Sequence, residues 1–223
     1  MSTQAPVPTD APRRVLATRS ARWAVALAGW LGRVGVRPNA VSIAGVAWAL
    51  GAGIAFSLVP EVAGGGRVAL LLAAAACVQL RLCCNLLDGM LAVEEGFKSK
   101  TGDLYNDLPD RIADVVVLVG AGYAVRHLAY GVTLGWAAAV LAIGTAYVRL
   151  LGGSLGLRQH FIGPMAKQHR MFTLTVATLL AAAETLLDMP PRAIAIGLGL
   201  IVAGSVVTIV RRTRRIVDEM EAR

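Results

Sequence analysis

The sequence predicts an all-α integral membrane protein, with six transmembrane helices preceded by an interfacial amphipathic helix. Three observations carry that expectation. Hydrophobic residues make up 56% of the 223-residue chain and charged residues only 16%, with a mean hydropathy of +0.63; a soluble domain carries about 25% charged residues. The chain divides into six apolar segments close to the roughly 20 residues a helix needs to cross a bilayer. Arg and Lys fall almost wholly on one side of that division.

Met1 to Asp10 is polar and contains prolines, so residues 1–12 read as a disordered tail. Residues 13–35 carry Leu16, Trp23, Leu27, Trp30, Leu31 and Val34 at helical spacing, flanked by Arg14, Arg19, Arg22 and Arg33. That is the pattern of a helix lying in the membrane interface. Its apolar stretch, Trp23 to Leu31, is short and no small-residue cleavage site follows, so no cleavable signal peptide is expected.

The first span is expected from about Asn39 to Val59, where Pro60 stops it, and the second from about Arg67 to Val93. The third runs from about Leu104 to Val125 and the fourth from about Ala129 to Leu151. The fifth runs from about Met171 to Leu187 and the sixth from about Arg192 to Val210. Short loops make residues 13–215 one membrane domain, followed by a tail, 216–223. Ala, Gly, Val and Leu dominate and aromatics are 5%, a composition that lets transmembrane backbones approach closely.

Six spans put both termini on one side. That side collects sixteen basic residues: Arg13, Arg14, Arg19, Arg22, Arg33 and Arg37 before the first span, Lys98 and Lys100, then Arg158, Lys167 and Arg170, then Arg211, Arg212, Arg214, Arg215 and Arg223. The other side holds only Arg67, Arg126 and Arg192. The positive-inside rule then places both termini in the cytoplasm, in a cell (inner) membrane. The same skew accounts for the net charge of +8 through anionic headgroups, so membrane lipids are expected partners and nucleic acid is not. Cys77, Cys83 and Cys84 all fall in one apolar segment and read as small apolar residues.

The informative polarity lies where the second span ends and the third begins. Asn85 and Asp88 are three residues apart and share a helix face; Asn106, Asp110 and Asp114, at intervals of four, share another. The segment from Glu94 to Gly102 allows the two helices to run antiparallel with these faces meeting. An Asp at the centre of a membrane helix costs roughly 3 kcal/mol, so several acids need compensation. Arg81 and Arg111 are candidate partners, and a divalent cation would offset more. Carboxylate and amide oxygens suit magnesium, manganese or calcium. Gly89 and Gly102 permit close approach of a ligand or of another backbone.

Residues 85–110 read N-x2-D-G-x2-A-V-x8-G-x3-N-x3-D. This resembles the signature of the CDP-alcohol phosphotransferase family, D-x2-D-G-x2-A-R-x8-G-x3-D-x3-D. The spacing matches without a gap, and Asp88, Gly89, Ala92, Gly102 and Asp110 match in identity. Asn85, Val93 and Asn106 depart, making this chain an atypical member in which Asn stands at two of the four signature Asp positions. Arg37-Pro38-Asn39 also looks like the Pro-Asn start of the family's first span. The resemblance implies transfer of a phosphatidyl or similar group from a CDP-linked lipid, CDP-diacylglycerol, to an alcohol acceptor, with release of CMP. It implies Mg2+ or Mn2+ held at positions 85, 88, 106 and 110, with Asp110 as general base. It implies a donor site around Pro38, Asn39, Gly89, Ala92, Ser99 and Gly102, and a homodimer. Asp103, Asp107 and Asp114 stand where they can compensate for the two amides, and Lys98, Lys100 or Arg81 for Val93.

A second basic cluster comprises Arg149, Arg158, Lys167 and Arg170. Gathered on the side that holds the acids, it suits phosphates of donor or acceptor. Two other functions remain open. A transporter also carries intramembrane acids, but predicts internal repeats, which this sequence lacks. A non-catalytic family member would bind the CDP-lipid without releasing CMP.

Overall fold

The computed structural model describes residues 21–94 and 102–223, with side chains described for 21–91 and 107–223. Among the described residues the chain is helical and without strands. It runs α1 (Arg22–Arg33), α2 (Pro38–Leu58) ending in a 3-10 turn (Val59–Glu61), α3 (Gly64–Glu94), α4 (Gly102–Ala124), α5 (Gly131–Ser154), α6 (Lys167–Leu186) and α7 (Ala193–Glu221). Helices α2 to α7 fall on the six apolar segments. Four of them, α2, α3, α5 and α7, are long and apolar enough to cross a membrane. The other two, of 23 and 20 residues, carry Asp110 and Asp114 (α4) and Lys167 and Arg170 (α6).

Local chemistry sets the boundaries. Pro38 takes the first helical position of α2, where its missing N–H costs nothing, and holds Arg37 extended (φ −79°, ψ 145°). At the far end of α6, the Glu184 carboxylate turns across to the start of α7. It accepts from the backbone N–H groups of Arg192 and Ala193 at 3.0–3.1 Å. An acid at a helix N-terminus satisfies orphan donors and meets the positive end of the dipole.

The six long helices close a ring in the order α2, α4, α5, α7, α6, α3. Helices α3 and α4, consecutive in sequence, flank α2 and meet mainly through polar side chains. Packing is inside-out by the standard of a soluble protein. Ala49, Ala52, Ala74, Ala121, Ala138 and Ala142 are buried, while Ile43, Trp48, Ile54, Val140, Phe172 and Ile196 are exposed. Lipid tails accept the large side chains, and the small ones let backbones touch. A Cβ added at Gly120 would lie 2.7 Å from the Gly53 Cα, and one at Gly135 would lie 2.7 Å from the Gly122 Cα.

Helix α1 lies against α3. Its Ala24 and Ala28 pack with Val41, Leu87, Met90 and Leu91, and Trp23 and Trp30 stay exposed. Residues 13–20 of the expected interfacial helix lie outside the described residues. Helix α7 continues past residue 210 to Glu221 because Arg212 and Ile216, one turn apart, are still buried.

Candidate active site

Helices α2, α4 and α6 begin, and α3, α5 and α7 end, at one end of the ring. The acids and most of the bases gather there. Asp88 sits in the last turns of α3 and is 4% exposed. Its Oδ2 accepts from the Ser42 hydroxyl at 2.7 Å, and its buried Oδ1 has no hydrogen-bond partner among the described residues. One turn earlier, Asn85 Nδ2 donates to Asp110 Oδ1 at 2.7 Å. Lys167, from the start of α6, donates through Nζ to both Asn85 Oδ1 and Asp110 Oδ2. Asp110 follows Pro109, which removes one intrahelical hydrogen bond from α4 at this point.

Below this layer lies a fully buried one. Arg81 Nη2 donates to Asp114 Oδ1 at 2.6 Å and lies 3.4 Å from Asp110 Oδ1. Arg170 Nη2 donates to the other Asp114 oxygen at 2.9 Å, and Nη1 to Thr145 Oγ1 and the Met165 carbonyl at 3.0 Å each. Arg81, Asp114 and Arg170 are each 1% exposed. Each helix contributes by its period: 81, 85 and 88 share one face of α3, and 110 and 114 one face of α4. Three carboxylates (Asp88, Asp110, Asp114) thus face three cations (Arg81, Lys167, Arg170).

A cavity of about 220 Å3 opens beside the cluster. Asn85, Gly89, Asp110 and Lys167 line one side, and Thr145, Arg149, Phe161 and Arg212 the other. Arg149 lies 3.2 Å from Asp107, with its guanidinium 5.4 Å from the Phe161 ring centre. The connection between α5 and α6 is strapped down by α7. Thr208 Oγ1 accepts the Met165 N–H at 3.0 Å. Arg212 donates to the carbonyls of Ile162 (3.0 Å) and Thr145 (2.5 Å). Gly163 adopts φ 115° against Thr208, a conformation that disfavours any side chain. His160 and Glu219 meet at 2.9 Å.

The structure therefore brings together Asn85, Asp88, Gly89, Asp110 and Lys167, with Arg149 on the cavity wall. Pro38 and Asn39 open α2 one turn before Ser42, and Gly102 opens α4. Arg170 holds Asp114 and also lines the cavity, and Arg158 is exposed and does not line it. Of the acids weighed as substitutes, Asp114 is enclosed by two arginines and Asp107 pairs with Arg149 and Arg111. Ser99, Lys98 and Lys100 lie outside the described residues, as do the side chains of Ala92, Val93, Asp103 and Asn106. Sequence reasoning missed Ser42 and Arg212. Ser42 stands one turn after Pro38, and Arg212 sits on the buried face with Thr208 and Ile216; that continued periodicity was the available signal.

A divalent cation fits this end of the molecule. Asp88 Oδ1 is a buried carboxylate oxygen in need of a partner, and Asn85 and Asp110 line the same small polar cavity. Such an all-oxygen set suits a hard ion. Among the described residues no three Asp, Glu, His or Cys side chains gather as a metal site.

No family model matches the sequence, and no curated protein sequence matches it. Solved structures do. The phosphatidylinositol phosphate synthase of Mycobacterium tuberculosis with CDP-DAG bound is 24% identical with a TM-score of 0.73, over 88% of this chain and 94% of that one. The same synthase in complex with manganese and citrate gives 24% and 0.71, over 86% and 88%. Its apo form gives 24% and 0.68, over 85% and 93%. The likeness is one of fold.

Proposed function

We propose that this chain is a CDP-alcohol phosphotransferase that moves a phosphatidyl group from CDP-diacylglycerol to an alcohol, releasing CMP. One observation carries the proposal: Asp88 and Asp110, the two signature acids the chain retains, line one cavity with Asn85 between them. The shared fold with a synthase crystallised with CDP-DAG, and with manganese, supports it. In this reading α4 and α6 complete a six-span bundle, and the basic end faces the cytoplasm with both termini. A homodimer is part of the same proposal.

Asp110 is the general base. Asn85 and Arg81 hold one of its oxygens and Lys167 the other. A carboxylate accepts about four hydrogen bonds, so an acceptor hydroxyl still finds a lone pair. As the hydroxyl oxygen bonds to the lipid-bearing phosphorus, its proton passes to Asp110 and the bond to the CMP oxygen breaks. Asp88, with the oxygens of Asn85 and the Asn106 position, would hold Mg2+ or Mn2+, which supplies polarisation of the phosphoryl group and stabilises the departing CMP. Lys167 and Arg149 present positive charge where phosphate oxygens must lie. An acceptor carrying its own phosphate fits the Arg149 side of the cavity.

The test is CMP release by the purified protein with CDP-diacylglycerol, Mg2+ or Mn2+, and a panel of free and phosphorylated alcohols. Activity should fall by roughly 10²–10⁴-fold in Asp110→Asn and be lost in Asp88→Ala. Full activity in either variant would sink the assignment. Donor binding without CMP release from any acceptor would favour a non-catalytic subunit.

A further inference from the structure

We propose that the Lys167 ammonium is a resident cation that replaces one divalent ion, so that the chain handles the donor diphosphate with a single metal at Asp88. The inference rests on the transferase reading and deepens it.

Lys167 Nζ bridges Asn85 Oδ1 and Asp110 Oδ2, two oxygens from different helices that line the cavity with it. A hard metal seeks the same pair. The amide at position 85 belongs to this arrangement. A carboxylate there would set a second negative group beside Asp110, whereas the Asn85 amide adds no charge. Apart from Asp88, the carboxylate oxygens of the cluster already have cationic or amide partners among the described residues. Asp114 has both oxygens occupied by arginines, and Asp110 receives Asn85, Arg81 and Lys167. Only Asp88 keeps a buried carboxylate oxygen without a partner among the described residues. The Lys167 side chain, 18% exposed, lines that cavity with Asn85 and Asp110. An ammonium is a compact point charge with three donors. It can therefore hold Asn85 and Asp110 and still turn one N–H toward a phosphate oxygen.

The test counts metal ions and does not depend on turnover. The full chain in detergent micelles, with CDP present, is titrated with Mn2+ while the free ion is followed by electron paramagnetic resonance. One Mn2+ per native chain is expected, and still one in Asn85→Asp, where the ammonium remains. Two are expected in Lys167→Met combined with Asn85→Asp. Two ions, or none, on the native chain would overturn the proposal, as would one on a double variant that keeps the native melting temperature. If the double variant does not fold, the native and Asn85→Asp counts decide. CMP release measured in parallel separates the two readings. One Mn2+ without CMP release refutes the transferase and leaves the resident cation standing; CMP release with two Mn2+ does the reverse.

Discussion

Arg81 and Asp114 meet at 2.6 Å, across α3 and α4, with both side chains 1% exposed. Arg170 closes the other side of the same carboxylate. Removing one partner of a buried pair leaves uncompensated charge, at a cost of about 3–5 kcal/mol. Asp114→Ala, which strands two arginines, should therefore lower stability by at least that range. Thermal or denaturant unfolding in detergent measures it. A melting temperature equal to that of the native protein would show that Asp114 does not hold the ring together.

Ser42 acts on the proposed site through Asp88. Its hydroxyl fixes Asp88 Oδ2 at 2.7 Å and leaves the buried Oδ1 without a partner among the described residues. Outer partners of metal ligands are worth roughly 10–100-fold in metal affinity. Ser42→Ala should weaken Mn2+ binding by about that factor and, because it strips a buried carboxylate of its hydroxyl partner, lower stability by about 1–3 kcal/mol. Unaltered Mn2+ affinity by titration would remove Ser42 from the site.

The proposed transferase reading predicts that Arg149 discriminates among acceptors. Its pairing with Asp107 is partly exposed, so a phosphate can compete for the guanidinium. A hydrogen bond to a charged group is worth about 1.5–3 kcal/mol. Arg149→Ala should raise KM for a phosphorylated alcohol roughly ten-fold or more and leave KM for CDP-diacylglycerol unchanged. If KM rises for the donor instead, Arg149 belongs on the other side of the reaction.

Gly120 tests the packing. A methyl there would press on the Gly53 backbone at 2.7–2.9 Å, and backbone cannot swing away. Overpacking of this kind costs about 1–3 kcal/mol. Gly120→Ala should destabilise the protein, whereas Gly199→Ala, with nothing within 4 Å, should be neutral or slightly stabilising. Equal melting temperatures for the two variants would contradict the close approach of α2 and α4.

Several apolar runs are bounded by a chemical stop that made their helices legible in the sequence: Pro38 at the first position of α2, Pro60 just after it, and Arg192 before α7. The pairing of Asn85 with Asp110 was legible from spacing, since both belong to helical faces that repeat every three or four residues. The ring order was not. Sequence adjacency of α3 and α4 suggested side-by-side helices, yet α2 packs against both, because contacts between small residues at Gly53 and Gly120 carry no directional signal in the text. Arg170 looked like one more cytoplasmic base. Only its partner on α4, 56 residues earlier, shows that it belongs to the interior. Ser42 and Arg212 escaped for the same reason: their roles are defined by atoms on other helices.

Synthesis from the N-terminus brings the partners of the polar cluster out in a fixed order. Arg81 emerges before Asp110 and Asp114, so the first ion pair is available as soon as α4 is made. Lys167 and Arg170 follow their carboxylate partners by 57 and 56 residues. A nascent chain halted within α5 must carry those acids with Arg81 as their only cation from the cluster. Arrival of α6 is thus the step that supplies the cluster's two remaining cations.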